Sequence, residues 1–168
     1  MTALPLPQPA VAARPAQQAD VSAMVRIMEP FIATGDLLPR TAEDLRRDID
    51  RYVVATDGGA VVGMGALKPY SPYLAEVIAV AVLPSHQGGG VGKLVVQQLV
   101  ERAHRFGIHE VFALTRRPFF FHRLGFRPAD KSLFPQKVWL DCASCPRQDA
   151  CDEIAVHVPD VASWRLPA

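Results

Sequence analysis

Apolar residues recur at helical spacing in three parts of the chain. The first predicts a helix over residues 20–33, with Asp20 as its N-cap. Thr41 and Asp44 form the capping pattern of a second helix, and residues 91–106 have the apolar face of a third. We therefore expect two helices before the first strand and a long helix in the middle of the chain.

Apolar stretches of strand length lie between these helices. Residues 52–56 and 60–67 are separated by Asp57-Gly58-Gly59, which predicts an antiparallel hairpin with a tight turn. Residues 74–83 are apolar on both faces except at Glu76, as is typical of a central strand in a covered sheet. We therefore predict a hairpin at 52–67 and a central strand at 74–83.

The order of elements after this central strand predicts a parallel strand pair. A helix over 91–106 and a strand over 110–115 follow it, and such a crossover is right-handed with the first loop at the carboxyl end of the first strand. A short helix at 118–124 and a last strand at 154–158 complete the pattern. The chain is thus predicted to be an α/β protein, in which ligands bind at that loop.

Length and charge restrict the class of protein. The chain has 168 residues, the size of one domain, and a net charge of +1, which provides no field to recruit nucleic acid or an anionic membrane. No apolar run approaches the roughly 20 residues that span a bilayer. We expect a flexible proline-rich tail at 1–11, a single domain at 12–168 and a cytoplasmic location, and we leave a homodimer open.

The loop before the third helix carries the most specific chemistry. It reads Gln87-Gly88-Gly89-Gly90-Val91-Gly92, and a helix N-terminus preceded by glycines can bind phosphates because its N–H groups are unpaired. The G-x-G-x-x-G and Gly-Lys-Ser/Thr patterns are absent, which argues against dinucleotide and P-loop folds. A purely structural glycine turn is the alternative.

Gln87, Gly90 and Gly92 match the pattern Q/R-x-x-G-x-G/A, which resembles the pyrophosphate-binding segment of the GNAT superfamily of N-acetyltransferases. This resemblance implies a mixed, mostly antiparallel central sheet flanked by helices, with a splayed parallel strand pair that holds acetyl-CoA as co-substrate. The cofactor-binding residues that it implies are Val80, Ala81, Val82, Gln87, Gly88, Gly89, Gly90, Val91, Gly92 and Lys93.

Within that superfamily the chain resembles the short N-acetylglutamate synthases. The similarity lies in running sequence, for example Leu37 to Thr41, Val111 to Thr115 and Phe121 to Phe126. It implies transfer of an acetyl group to the α-amine of L-glutamate, the first step of arginine biosynthesis. Another amine as acceptor (an amino acid, a polyamine, an antibiotic or a peptide N-terminus) and a non-catalytic acyl-CoA sensor are the alternatives.

The resemblance also assigns catalytic roles. Glu76 corresponds to the family's general base, although by position alone a glutamate in solvent or paired with a cation is the simpler interpretation. Many relatives protonate the leaving thiolate from a tyrosine in the short helix, where this chain has phenylalanine at 119–121. Thr115 is our candidate donor, with Tyr70 and Tyr73 as substitutes.

A dicarboxylate acceptor needs cations. Arg40 corresponds to a glutamate-binding residue of the family, and a guanidinium can hold a carboxylate with two hydrogen bonds. A second cation is expected from a group that the sequence does not rank, namely Lys68, Arg116, Arg117 and Lys137. Lys68 and Arg116 complete our predicted substrate-binding set.

Three cysteines lie close together near the end of the chain. Cys142, Cys145 and Cys151 could hold zinc with His157 or an outside group as the fourth ligand, but the pattern itself is one ligand short of a complete site. Free thiols or a local disulfide are the simpler alternatives, and we predict no metal.

Overall fold

The computed structural model describes residues 11–134, 143, 145 and 151–168. The chain is α/β, with α-helices at Val21–Ala33 (α1), Ala42–Arg47 (α2), Val91–Arg105 (α3) and Pro118–His122 (α4). Short 3-10 turns precede α1, follow α2 and precede the glycine loop. No helix in the described part of the chain is long and apolar enough to cross a membrane.

The strands form a seven-stranded mixed sheet in the order β1-β2-β3-β4-β5-β7-β6. Its parallel pair is β4 with β5, whereas β1 with β2, β5 with β7 and β6 with β7 are antiparallel. This sheet confirms the predicted fold class. The strands are β1 (Ala12–Pro15), β2 (Tyr52–Asp57), β3 (Ala60–Pro69), β4 (Leu74–Val82), β5 (Glu110–Thr115), β6 (Arg127–Ala129) and β7 (Ile154–Val158).

The parallel pairing is short. β4 and β5 are in register only from Leu74 opposite Glu110 to Glu76 opposite Phe112, although β4 continues to Val82. Ala79, in the middle of β4, has φ +55°, a left-handed conformation that costs a residue with a Cβ roughly 1–2 kcal/mol. The pleat of β4 is therefore interrupted after its register with β5 ends, as expected for a splayed pair.

The chain divides into two compact units, and β3, β4 and α3 each run through both. The first unit comprises Met1–Gly65 and Ala79–Gln98, of which the structure describes residues from Val11 onward. Its fully buried side chains include Met24, Leu45 and Val54. The amphipathic spacing of α1 thus buries one face of that helix, as the sequence predicts.

The second unit comprises Ala66–Ile78 and Leu99–Ala168. Its core contains Phe112 and Phe134, whose rings stack with centroids 4.1 Å apart, together with Ala155 of β7. The half-buried ring of Tyr70 packs against this cluster. The aromatic cluster thus supports the residues that connect β3 to β4.

One sequence prediction about the start of the chain is wrong, and another, Asp20 as the N-cap of α1, is confirmed only in position. A strand, β1, precedes both helices, because Ala12 to Pro15 pair with Val53 to Thr56 of β2. Asp20 does precede α1, but its side chain makes no capping hydrogen bond to that helix. Its carboxylate instead accepts two hydrogen bonds from Arg14, at 2.7 and 2.9 Å, and one from the Gln17 N–H.

Asp20→Asn should destabilise the protein at neutral pH by about 1–3 kcal/mol, because the buried carboxylate loses its charge-assisted bonds to Arg14. The Arg14 hydrogen bonds hold the pKa of Asp20 below its ordinary value, against the opposing effect of burial. This stabilisation is present above the unfolded pKa of about 4 and is lost as pH falls through the lower folded value.

Thermal unfolding of Asp20→Asn and wild type between pH 3 and 8 measures this effect. We expect a melting temperature about 3–10 °C lower at pH 7, with the difference shrinking below about pH 4. Glu29→Gln is the matched control, since it removes an exposed carboxylate from α1. A pH-independent difference would show that the Arg14 pair does not provide the stabilisation.

Candidate functional site

The most unusual polar group in the second unit is the carboxylate of Glu76 in β4. Glu76 is only 2% exposed, and its neighbours Ala75 and Val77 are buried as well. The Tyr70 hydroxyl donates a 2.8 Å hydrogen bond to its Oε2. Burial of a carboxylate is costly unless hydrogen bonds compensate for the lost water. The solvent-exposed interpretation of Glu76 is therefore excluded.

Sequence reasoning did not anticipate the hydrogen bond between Tyr70 and Glu76. The two residues lie on either side of the turn between β3 and β4, where the Tyr70 and Ser71 N–H groups both donate to the Leu74 carbonyl. The Nζ of Lys68 lies 5.2 Å from the centroid of the Tyr70 ring. Lys68 and Glu76 thus contact the same tyrosine, and the short connection between the predicted strands 60–67 and 74–83 was the signal that could have suggested it.

Two other predicted site residues of the second unit, Thr115 and Arg116, lie at the end of β5 and directly after it. Thr115 is half-buried, and its Oγ1 accepts a 2.9 Å hydrogen bond from the Arg117 N–H. That bond leaves the hydroxyl proton of Thr115 able to be donated elsewhere. The Nε of Arg116 donates to Oδ2 of Asp152 at 3.0 Å. A carboxylate ligand would therefore compete with Asp152 for Arg116.

The glycine loop lies in the first unit, directly before α3. Gly88 and Gly90 have φ of +79° and +87°, and a Cβ at either would meet no atom within 4 Å. Backbone conformation, not crowding, therefore requires glycine there. The N–H groups of Gly88, Gly89 and Gly90 have no acceptor among the residues that the structure describes. Exposed donors at a helix N-terminus can bind phosphate oxygens.

An open cleft of about 250 Å³ adjoins this loop. Its lining includes the backbone of the loop and the side chain of Lys93, an exposed cation in the first turn of α3. Helix dipole and lysine both favour an anion at this place. The lining residues are Val11, Gly89, Gly90, Val91, Lys93, Leu94 and Gln97.

Contacts within the first unit hold the loop and the start of α3 close to the sheet. A Cβ on Gly63 of β3 would lie 2.7 Å from Cγ1 of Val91, so the missing side chain allows α3 to begin close to β3. Gln87 Nε2 donates to the Val82 carbonyl at 3.1 Å, which connects the loop to the end of β4. These contacts bring the predicted residues Val82, Gln87 and Val91 together.

A hydrogen bond that the sequence did not suggest holds the segment directly before the glycines. His86 Nε2 lies 2.9 Å from Oδ2 of Asp57, the last residue of β2, and His86 Nδ1 lies 2.8 Å from the Ser85 hydroxyl. His86 is 29 positions from Asp57, so no local pattern could have revealed the pair. The β2–β3 turn is thereby linked to the segment that leads into the glycines.

Arg40 lies in the first unit, in the segment before α2, and is half-buried. Burial raises the pKa of the Tyr52 phenol, and the nearby charge of Arg40 opposes that rise. Thr41 and Asp44 form the predicted capping box next to it, with the Thr41 side chain accepting from the Asp44 N–H. The capped helix thus fixes the backbone from which Arg40 extends.

The cysteine cluster lies partly outside the described residues. Cys142 and the candidate cation Lys137 are among those not described, whereas Cys145 is half-buried and Cys151 is exposed with its Sγ 3.4 Å from Lys131 Nζ. No group of three or more potential metal ligands occurs among the residues that are described. The zinc alternative has no further support from them.

Several known proteins and one protein-family profile are similar to this chain in sequence. The sequence profile described as "Acetyltransferase (GNAT) family" matches residues 22–126. A protein of Chlorobaculum tepidum described as an uncharacterized N-acetyltransferase is 40% identical over 143 residues, which are 85% of this chain and 92% of that protein. An amino-acid acetyltransferase of Photorhabdus laumondii is 28% identical over 69% of this chain.

Among solved structures, N-acetylglutamate synthase from Neisseria gonorrhoeae, complexed with coenzyme A and N-acetyl-glutamate, superposes with a TM-score of 0.78 at 25% identity. The match covers 88% of this chain and 34% of that one. The chain likewise spans 26% of the Photorhabdus laumondii protein. The similarity to these longer relatives is therefore confined to one part of each.

Proposed function

Because this chain belongs to the acetyltransferase (GNAT) family and is an acetyl-CoA-dependent N-acetyltransferase, we propose that its acceptor is the α-amine of an amino acid, namely L-glutamate. The observation that carries the proposal is the buried carboxylate of Glu76, in the strand whose parallel pairing ends at that residue. The similarity to an N-acetylglutamate synthase that binds its product supports glutamate as the acceptor. The product would be N-acetyl-L-glutamate, and the reaction would open arginine biosynthesis.

In the proposed reaction Glu76 is the general base. An α-amine is protonated at neutral pH and cannot attack a thioester until a base removes a proton, directly or through one water. The neutral nitrogen then attacks the acetyl carbon, the carbon–sulfur bond breaks, and the CoA thiolate takes a proton. Thr115 is our candidate for that last donation, since its Oγ1 accepts a hydrogen bond from Arg117 and its own proton can be donated.

The proposed acetyl-CoA site consists of the backbone of residues 80–82 and of the glycine loop through Lys93. The N–H groups of the loop that lack an acceptor among the described residues, together with the N-terminus of α3, could donate hydrogen bonds to the diphosphate of CoA. The connection of Gln87 to Val82 supports assigning the end of β4 and the loop to one ligand. β4 thus contributes both the proposed base and part of the proposed cofactor site.

The proposed acceptor site uses cations to select a dicarboxylate. Arg40 is proposed to bind a glutamate carboxylate, with Lys68 and Arg116 as candidates for the second. Lys68 is the better supported of these two, because it contacts the ring of the tyrosine that binds Glu76, whereas Arg116 is paired with Asp152.

Release of free CoA from acetyl-CoA in the presence of a panel of amines tests the acceptor. We expect L-glutamate to be the preferred substrate over lysine, glutamine and spermidine. Arg40→Ala should raise the KM for glutamate by about 10–100-fold, since charge-assisted hydrogen bonds are worth about 1.5–3 kcal/mol, and should leave the KM for acetyl-CoA unchanged.

Arg46→Ala is the matched control, because it removes an exposed cation from the adjacent helix α2. Turnover of spermidine or lysine without any response to glutamate would overturn the substrate assignment. Turnover of glutamate with an unchanged KM in Arg40→Ala would retain the substrate but reject Arg40 as its ligand. Binding of acetyl-CoA with no CoA release for any amine would favour the sensor alternative.

A further inference from the structure

We propose that Tyr70 is a positioning residue for the base, acting through its hydrogen bond to Glu76. This inference rests on the proposed role of Glu76. The phenol O–H donates to Oε2 at 2.8 Å, the usual distance for an O–H···O hydrogen bond. Tyr70 therefore fixes the position of one oxygen of the proposed base.

The phenol can position a carboxylate only if its own ring is fixed. The Tyr70 ring lies 5.8 Å from that of Phe112, which in turn stacks on Phe134 at 4.1 Å within the buried cluster. The backbone at Tyr70 is held as well, because its N–H donates to the Leu74 carbonyl at 2.9 Å. The ring is thus held by the aromatic cluster, and the backbone is held by the first residue of β4, the strand that carries Glu76.

The hydrogen bond also has an electrostatic effect on the base. Donation to the ionised form of a carboxylate favours that form over the protonated one. The Lys68 ammonium, 5.2 Å from the ring centroid, adds positive charge near the phenol. Both contributions keep Glu76 able to accept a proton despite its burial, so loss of the hydroxyl should extend protonation of Glu76 to higher pH.

One other titratable pair borders the aromatic cluster. His157 Nδ1 lies 2.6 Å from Oε2 of Glu110, and the His157 ring is edge-on to Phe134 with centroids 6.1 Å apart. This pair is present in wild type and in a Tyr70 variant alike, so it does not contribute to the difference between them.

Tyr70→Phe removes the hydroxyl and retains the ring, and the pH profile of kcat/KM is the primary measurement. We expect the acid limb to move to higher pH by about one unit, which corresponds to about a tenfold loss of kcat/KM on that limb. The Kd for acetyl-CoA should not change. Ser22→Ala is the control, because it removes an exposed hydroxyl from α1, away from the proposed site residues.

Coincident profiles for Tyr70→Phe and wild type would overturn the inference, as would an equal shift in Ser22→Ala. The same substitution in a Glu76→Gln background should have less than a twofold effect, because Tyr70 acts through the carboxylate. A full tenfold loss in that background would also reject the proposal.

An infrared titration separates this inference from the proposed function, since it needs no acceptor. The carbonyl stretch of protonated Glu76 can be identified because it is absent in Glu76→Gln. As the pH is lowered, this band should appear at a higher pH in Tyr70→Phe than in wild type. An unchanged titration would reject the role of Tyr70 whatever the acceptor is. A shifted titration together with a fully active Glu76→Gln would instead reject Glu76 as the base and leave the contact with Tyr70 intact.

Discussion

Glu76→Gln should reduce kcat for acetyl transfer by about 10²–10⁴-fold, the usual contribution of a positioned general base. Glutamine has the same size and its amide oxygen can still accept the Tyr70 O–H bond, so the buried strand β4 should remain intact. What is lost is the ability to take a proton from the amine. The Kd for acetyl-CoA, measured by calorimetry, should therefore stay within about twofold of wild type.

Steady-state kinetics with the preferred amine checks this expectation. Glu76→Asp retains the acid but withdraws it by one methylene, so its activity should be intermediate and should keep an acid limb in the pH profile, whereas the glutamine variant loses that limb. Glu43→Gln is a control on the exposed first turn of α2. A glutamine variant with kcat within threefold of wild type would remove Glu76 from the mechanism.

Gly90→Ala should weaken acetyl-CoA binding by about 10–100-fold. The residue has φ +87°, so alanine must either accept a strain of roughly 1–2 kcal/mol or move the backbone whose N–H groups are proposed to bind the diphosphate. A Cβ there would meet no protein atom within 4 Å, so the expected cost arises from the backbone conformation rather than from crowding within the protein. The effect should appear in KM and Kd for acetyl-CoA and leave kcat nearly unchanged.

The matched control is Gly107→Ala, at the other end of α3. Gly107 has φ +75° and, like Gly90, no atom within 4 Å of the place that a methyl group would take, so the two substitutions carry a similar conformational cost. We expect both to lower the melting temperature by a similar amount and only Gly90→Ala to affect acetyl-CoA. Equal acetyl-CoA affinity in both variants would reject the loop as the diphosphate site.

Local patterns were sufficient for most elements. The predicted ranges for the hairpin, α3, β5 and β7 agree with the structure within one or two residues, because periodic apolar positions and turn residues are encoded in adjacent sequence. The strand β1 was missed because four residues are too few to show a period. Its partner, β2, lies about 40 positions away and provides the pairing that defines it.

The sequence by itself determined the glycine loop, its place between a strand and a helix, and the type of chemistry that a lone acid in a central strand can perform. Only the tertiary structure decided that Glu76 is buried, that Tyr70 donates to it, and that Arg116 pairs with Asp152. The physical reason is that motifs depend on neighbours in the chain, whereas burial and hydrogen-bond partners depend on which strands and turns come together in space. Glycines could therefore be identified from their spacing, but the surroundings of the proposed base could not.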